Sequence, residues 1–139
     1  MRVTRRYRFA ASHRLHSAAF SEDENRELYG KCSNPFGHGH DYVLDVTAAG
    51  PVDSSSGQVV HVPTLDRLVS EQVLKDFDHR YFNADLAEFR NLVPTSENII
   101  RVIEDRLNAC WPDVFPGEGP RLEGIRLRET KRNVFELKS

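Results

Sequence analysis

Three histidines have the types and spacing that could hold a metal ion. His38 and His40 stand two residues apart, so on a β-strand both imidazoles project from one face, about 6–7 Å apart at the backbone. His13 falls on the apolar side of an earlier alternating segment and would join them if the two strands are neighbours. Three imidazole ligands with an open fourth position are typical of a catalytic zinc site. The alternative is that His38 and His40 are surface residues and that His13 packs in the core.

A cysteine stands close to the histidine pair in the sequence. Cys32 lies six residues before His38, and a thiol beside a cation would be acidified and available as a base. Cys110, the other cysteine, falls on the apolar stripe of a predicted helix and is expected in the core. Two cysteines supply no disulfide framework, which favours a reducing, cytoplasmic location.

Alternating apolar and polar residues predict the strands that would position the histidines. Residues 3–13 and 38–48 alternate with the period of a half-buried strand. Residues 17–37 between them are rich in acidic residues, Asn and Pro, and they are predicted as one long polar loop, a length that is usually functional. A short third strand is predicted at residues 58–62.

Two amphipathic helices are predicted after these strands. Thr64 can cap the first, whose apolar residues recur with the helical period. Thr95 or Ser96 can cap the second, with Glu97 near the positive end of the helix dipole. Pro112 is expected to end that helix.

A hairpin is predicted to close the chain, with strands at residues 122–129 and 134–137. Glu129 shares its strand face with Ile125 and Leu127, an unfavourable place for an unpaired carboxylate, so a ligand or an arginine should pair with it. The order of elements predicts a single α+β domain over residues 1–139, with two helices on one face of an antiparallel sheet.

Composition argues against two other classes of protein. The chain has 19 Lys plus Arg and 21 Asp plus Glu, and a net charge of −2 gives no indication of nucleic-acid binding. Its apolar runs are far shorter than the ~20 residues that span a bilayer, so no membrane association is expected. The first residues also lack the apolar block of a signal peptide.

Five spaced motifs together resemble the 6-pyruvoyltetrahydropterin synthase family, which includes the 6-carboxytetrahydropterin synthases. The motifs are Phe9-Ala10-Ala11-Ser12-His13-Arg14-Leu15, Gly30-Lys31-Cys32-Ser33-Asn34-Pro35-Phe36-Gly37-His38-Gly39-His40-Asp41-Tyr42, Phe77-Asp78-His79, Pro94-Thr95-Ser96-Glu97-Asn98 and Arg128-Glu129-Thr130. The resemblance implies the T-fold, a four-stranded antiparallel sheet with two helices on one face. Its subunits form barrels as trimers, and two trimers stack into a homohexamer.

The resemblance also implies a metal and a substrate. Zinc would be bound by His13, His38 and His40, and the substrate would be 7,8-dihydroneopterin triphosphate. The implied reaction forms 6-pyruvoyltetrahydropterin with loss of triphosphate, with Cys32 as the proton-abstracting base.

Further roles follow from the same resemblance. Asp78 and His79 would be a proton relay or acid pair, although a histidine near a helix C-terminus is also explained by the dipole. Glu129 would anchor the pterin, because a carboxylate can accept two parallel hydrogen bonds from its amino group and ring N–H. Thr95, Ser96 and Glu97 would contact the substrate, or would serve only as a helix start.

The spacer after the cysteine bears on which reaction is expected. Five residues, Ser33 to Gly37, separate Cys32 from His38, as in the pyruvoyl synthases, whereas the carboxy enzymes commonly have three. Asp41 and His61 stand where the family commonly has other residues. The alternatives are therefore a 6-carboxytetrahydropterin synthase of deazapurine (queuosine) biosynthesis, which releases acetaldehyde, and a catalytically silent zinc- or pterin-binding module.

Overall fold

A long antiparallel pair of strands forms the centre of the molecule. The computed structural model describes residues 1–139 and contains one five-stranded sheet in the order β3-β1-β2-β4-β5. The strands are β1 Arg2–His13, β2 His38–Ala49, β3 Arg80–Tyr81, β4 Arg121–Arg128 and β5 Val134–Lys138. β1 and β2 pair along their whole length, from Arg2 opposite Ala49 to His13 opposite His38.

Five helices are present, and all but the first contribute residues to the core on one face of this sheet. They are α1 Glu22–Tyr29, α2 Val62–Val69, α3 Lys75–Phe77, α4 Phe82–Asp85 and α5 Ser96–Val114. A π-helical segment, Ser70–Leu74, joins α2 to α3. Apolar residues of the central strands and of the helices form one buried cluster of 24 residues, so a single core holds the sheet and helices together.

Alternation along the two central strands is confirmed. Phe9, Ala11 and His13 of β1 are buried, whereas the residues between them are more exposed. On β2, Tyr42 and Leu44 belong to the same apolar cluster. The face that carries the histidines is therefore also the face that packs against the helices.

Four local predictions were wrong, one of them the cap at Thr64, which lies inside α2. The predicted strand at residues 58–62 does not form; Val59 and Val60 are buried without a partner strand, and α2 begins at Val62 with His61 as its N-cap. The predicted loop at 17–37 contains α1 and a 3₁₀ turn. Pro112 does not end α5, which continues to Val114.

The sheet also differs from the four-stranded antiparallel sheet that was predicted. Four strands are antiparallel, as predicted, but the two-residue strand β3 is added at the edge, parallel to β1. β1 and β3 are neighbours in the sheet but not in the chain, since α1, β2, α2 and α3 lie between them. None of the helices has the length and apolar character that crossing a membrane requires.

Candidate metal centre

Two imidazoles converge at the end of the β1–β2 pair. His13 is fully buried and His40 is half-buried, and their Nε2 atoms lie 3.1 Å apart. His38, opposite His13 in the register, has its ring centroid 4.7 Å from that of His40. The pairing of β1 with β2 thus brings the three predicted histidines onto one face.

A backbone contact fixes the orientation of the His13 ring. Its Nδ1–H donates to the carbonyl oxygen of Pro94 at 2.8 Å, since a carbonyl can only accept. Nε2 is then the unprotonated nitrogen, and its lone pair points toward His40. Metal-binding histidines usually make such a second hydrogen bond, which sets the tautomer and the ring angle.

Cys32 joins this pair of histidines. The side-chain donor atoms of His13, Cys32 and His40 all lie within 4.8 Å of one another. The 3₁₀ turn Gly30–Ser33 carries the cysteine, and the carbonyl of Cys32 accepts from the N–H of Leu15 at 2.7 Å. This bond ties the turn to the segment that follows β1.

The donor set fits a zinc ion. Two nitrogen ligands on a tetrahedral zinc, each ~2.0–2.1 Å from the metal, are about 3.3 Å apart, close to the 3.1 Å between the two Nε2 atoms. Imidazole and thiolate are both donors that zinc accepts. His38 is outside the tight group formed with Cys32, but its exposed side chain makes no hydrogen bond and can turn without losing one.

Burial shifts the pKa values of His13, His40 and Cys32. Loss of solvent lowers the pKa of His13 and of His40, which favours the neutral imidazoles that bind metals. Burial raises the pKa of the Cys32 thiol, and the Glu129 carboxylate raises it further. The acidic thiol expected from the sequence therefore requires a cation beside its sulfur.

Glu129 and Ser96 meet at the border of the cluster. The Ser96 hydroxyl donates to a carboxylate oxygen of Glu129, and the Ser96 side chain is buried at the start of α5. Thr95 is the N-cap of that helix and accepts from the N–H of Asn98, while Glu97 is exposed. Ser96 thus contacts the predicted pterin anchor, and Thr95 has a capping role.

Asp78 and His79 contact each other, and neither belongs to the group of donor atoms that His13, Cys32 and His40 form. Asp78 Oδ1 lies 3.1 Å from Nδ1 of His79 and accepts from the N–H of Ala10 at 2.9 Å. His79 has a positive φ of 60°, and its side chain is 80% exposed. It lines a cleft of about 560 Å³ that Ser12 also lines, and Ser12 alternates with the buried residues of β1. His40 lines the same cleft, but His79 is outside the group of donor atoms that His13, Cys32 and His40 form.

Sequence reasoning missed Tyr42 as a residue of this site. Tyr42 is fully buried, and its hydroxyl has no hydrogen-bond partner. The β2–β4 pairing ends with Val43 opposite Arg128, so Tyr42 and Glu129 are neighbours just beyond it. Burial raises the pKa of Tyr42, and the charges of Glu129 and Cys32 raise it further. Its position two residues after His40 on an alternating strand was the available signal.

The fold and the site define an α+β protein with a His–Cys–His candidate metal centre. A sequence profile described as 6-pyruvoyl tetrahydropterin synthase matches residues 2–139. The chain belongs to this family.

Relatives and solved structures agree with that membership. The chain is 40% identical to the 6-pyruvoyl tetrahydrobiopterin synthase of Homo sapiens, over 98% of this chain and 90% of that one. The structure of Caenorhabditis elegans 6-pyruvoyl tetrahydropterin synthase matches with a TM-score of 0.88 and 37% identity, over 100% and 95% of the two chains. A 6-carboxy-5,6,7,8-tetrahydropterin synthase of Bacillus subtilis is 32% identical, over 76% of this chain and 68% of that one.

Proposed function

We propose that this protein is a carbon–oxygen lyase that converts 7,8-dihydroneopterin triphosphate to 6-pyruvoyltetrahydropterin with loss of triphosphate. The observation that supports this most directly is the convergence of His13, His40 and Cys32 beside the Ser96–Glu129 pair. A pure binding module would need neither the thiol nor the carboxylate at the metal centre. Relatives with this activity in their names align with nearly the whole chain.

Zinc would be held by His13, His40 and His38. When bound, it would supply Lewis-acid polarisation of the substrate's side-chain oxygens, which acidifies the neighbouring C–H and O–H groups. Cys32 is then placed to take a proton, because its sulfur is beside the ligand nitrogens.

Glu129 would bind the pterin ring. One of its oxygens accepts from Ser96, which fixes the carboxylate, and the other has no hydrogen-bond partner within the chain. A carboxylate held in this way can accept from the amino group and ring N–H of a pterin. Ser96 is therefore a positioning residue for Glu129.

The location of His79 supports a homo-oligomer, which we propose is a hexamer of two trimers. Within one chain, the exposed His79 is outside the group of donor atoms that includes Cys32, so the two residues would serve one substrate where two subunits meet. Strands β3 and β5 are the edges of the sheet, and pairing with a neighbouring subunit would cover them and close a barrel. Free cysteines are consistent with a cytoplasmic location.

The second candidate is the 6-carboxytetrahydropterin synthase reaction on the same substrate. The specific observation in its favour is the Bacillus subtilis relative, although that match has lower identity and covers less of the chain. The five-residue spacer between Cys32 and His38 favours the pyruvoyl product.

Product analysis with 7,8-dihydroneopterin triphosphate tests the proposal. Zinc-loaded protein should release triphosphate and form the 6-pyruvoyl compound. Formation of 6-carboxytetrahydropterin with acetaldehyde would establish the second candidate instead. Tight pterin binding without any product would identify a catalytically silent module.

A further inference from the structure

A polar cavity lies beside the metal centre, between α1 and the start of β2. It has a volume of about 350 Å³, and its lining includes Arg26, Lys31, Ser33, Asn34 and His38. Three residues of the five-residue spacer, from Ser33 to Pro35, contribute to it. The spacer therefore shapes this cavity in addition to separating Cys32 from His38.

Several donors in the cavity are free to bind a ligand. Lys31 is exposed and forms no ion pair, and Arg26 pairs only with Asp23, in a contact where both side chains are largely exposed. Exposed pairs of this kind contribute little and exchange readily. Asn34 uses its Oδ1 to accept from the N–H of Phe36, which leaves its amide nitrogen without a partner.

A buried hydroxyl provides an independent indication of a ligand. Ser33 is 3% exposed, and its Oγ has no hydrogen-bond partner within the chain. An unsatisfied buried polar atom costs free energy, and each case in a native structure requires an explanation. Donation from the Ser33 hydroxyl to an anion in the adjoining cavity would explain why this atom has no partner within the chain.

The cavity is directly beside the groups that would react. Lys31 and Ser33 flank Cys32 in the chain, and His38, whose ring is 4.7 Å from that of His40, belongs to the lining. Glu129 follows β4, which pairs with β2 on the edge away from β1. A ligand with its ring at Glu129 and its side chain over Cys32 would extend toward the cavity.

We propose that this cavity binds the triphosphate group of the substrate, with Lys31, Arg26 and the Ser33 hydroxyl as donors. The inference rests on the proposed function, because it takes the substrate to be a pterin with a triphosphate on its side chain. Glu22 is the one acidic residue of the lining, and its carboxylate is paired with His16 at 3.0 Å. Cations here would also stabilise the triphosphate as it leaves.

Inorganic triphosphate is a suitable probe, with binding measured by calorimetry at fixed ionic strength on the zinc-loaded protein. Lys31→Ala should weaken binding about tenfold, the usual effect of losing one charge-assisted hydrogen bond. Ser33→Ala should weaken it by a smaller factor. Lys75→Ala is the matched control, since Lys75 is an exposed lysine on α3, outside this cavity.

A second readout separates binding from folding. Lys31→Ala should raise KM for the triphosphate substrate and leave the affinity for neopterin, which has no phosphates, unchanged. Equal weakening by Lys75→Ala, loss of neopterin binding, or an unchanged KM would each overturn the cavity assignment. If the wild-type protein binds triphosphate at this cavity but yields no pterin product, the proposed function fails and the cavity assignment stands.

Discussion

Cys32 and His79 are both candidate proton-transfer residues, but the chain presents them in opposite ways. Cys32 is half-buried on a turn anchored to the end of β1, with its sulfur beside two inward-facing imidazoles. His79 is exposed at a left-handed backbone position, and its N–H donates to the carbonyl of Ala10 at 2.6 Å. Cys32 lies beside the candidate metal ligands of its own chain, whereas the His79 side chain projects into solvent. The difference is the reason for the proposal above that His79 acts at a site shared between subunits.

Removal of a candidate metal-binding side chain should have the largest effect on activity. His40→Ala should abolish activity and remove most of the bound zinc, because His40 is the imidazole that faces both His13 and Cys32. Metal analysis and turnover check this. His61→Ala is the control, because the exposed His61 side chain forms one hydrogen bond, to Thr64, and is outside the cluster. One full equivalent of tightly bound zinc in His40→Ala would contradict the assignment.

Loss of the thiol should lower turnover without loss of metal. Cys32→Ala should reduce kcat ~10²–10⁴-fold, the usual contribution of a general base, and keep its zinc on three histidines. Cys110→Ala should cost little activity, because Cys110 packs against the core. Loss of zinc from Cys32→Ala would make the thiol a ligand in place of His38.

Mixing two inactive variants tests the comparison directly. Cys32→Ala and His79→Ala chains, co-expressed and purified as one assembly, should recover about a quarter of the wild-type sites if each site combines two chains at random. Activity of the assembly, with each variant alone as reference, is the measurement. If the mixture is as inactive as its components, the two groups act within one chain or His79 is not catalytic.

A change at the pterin anchor should affect binding more than folding. Glu129→Gln replaces an acceptor with a donor and should raise the Kd for a pterin roughly tenfold to a hundredfold. Fluorescence titration with a pterin gives the Kd, and thermal unfolding monitors the fold. Glu118→Gln is a suitable control because Glu118 is exposed in a loop. An unchanged Kd in Glu129→Gln would argue against the anchor.

The smallest expected effect is on stability. Tyr42→Phe removes a buried hydroxyl that has no partner, so the free energy of unfolding should stay the same or rise by up to about 1 kcal/mol. Tyr7→Phe removes a hydroxyl that donates to Asp66 at 2.7 Å, and should lower the free energy of unfolding by about 1 kcal/mol. Urea unfolding of both variants makes the comparison. A clear loss in Tyr42→Phe would show that this hydroxyl has a partner in solution.

The sequence predicted the long strands well and the intervening segments poorly, for physical reasons. Apolar and polar residues largely alternate over β1 and β2, so the sequence showed which face of each strand is turned toward the core. Helix α1 has only Asn25 buried, and therefore has no apolar stripe. Its signal was the capping box of Ser21 and Glu24, which the structure contains.

The site was only partly accessible from the sequence. That His13, His38 and His40 share a face follows from strand geometry alone, and the structure places them so. The side on which His79 lies depends on a single left-handed residue, and β3 is two residues long. Neither the left-handed residue nor so short a strand produces a periodic pattern in the sequence. The Pro94 contact to His13 joins residues far apart in sequence, which no local rule predicts.

The unbroken pairing of β1 with β2 links metal geometry to the folding of the chain. A shift of one residue in this pairing would turn His40 away from His13, and it would also turn Tyr42 and Leu44 out of the core. Exposure of each large apolar side chain costs about 1.5–3 kcal/mol. A misaligned pairing is therefore less stable than the correct one even without a bound metal. An insertion between residues 40 and 42 would uncouple the two, since the histidines and the core residues of β2 could then pair with β1 in different registers.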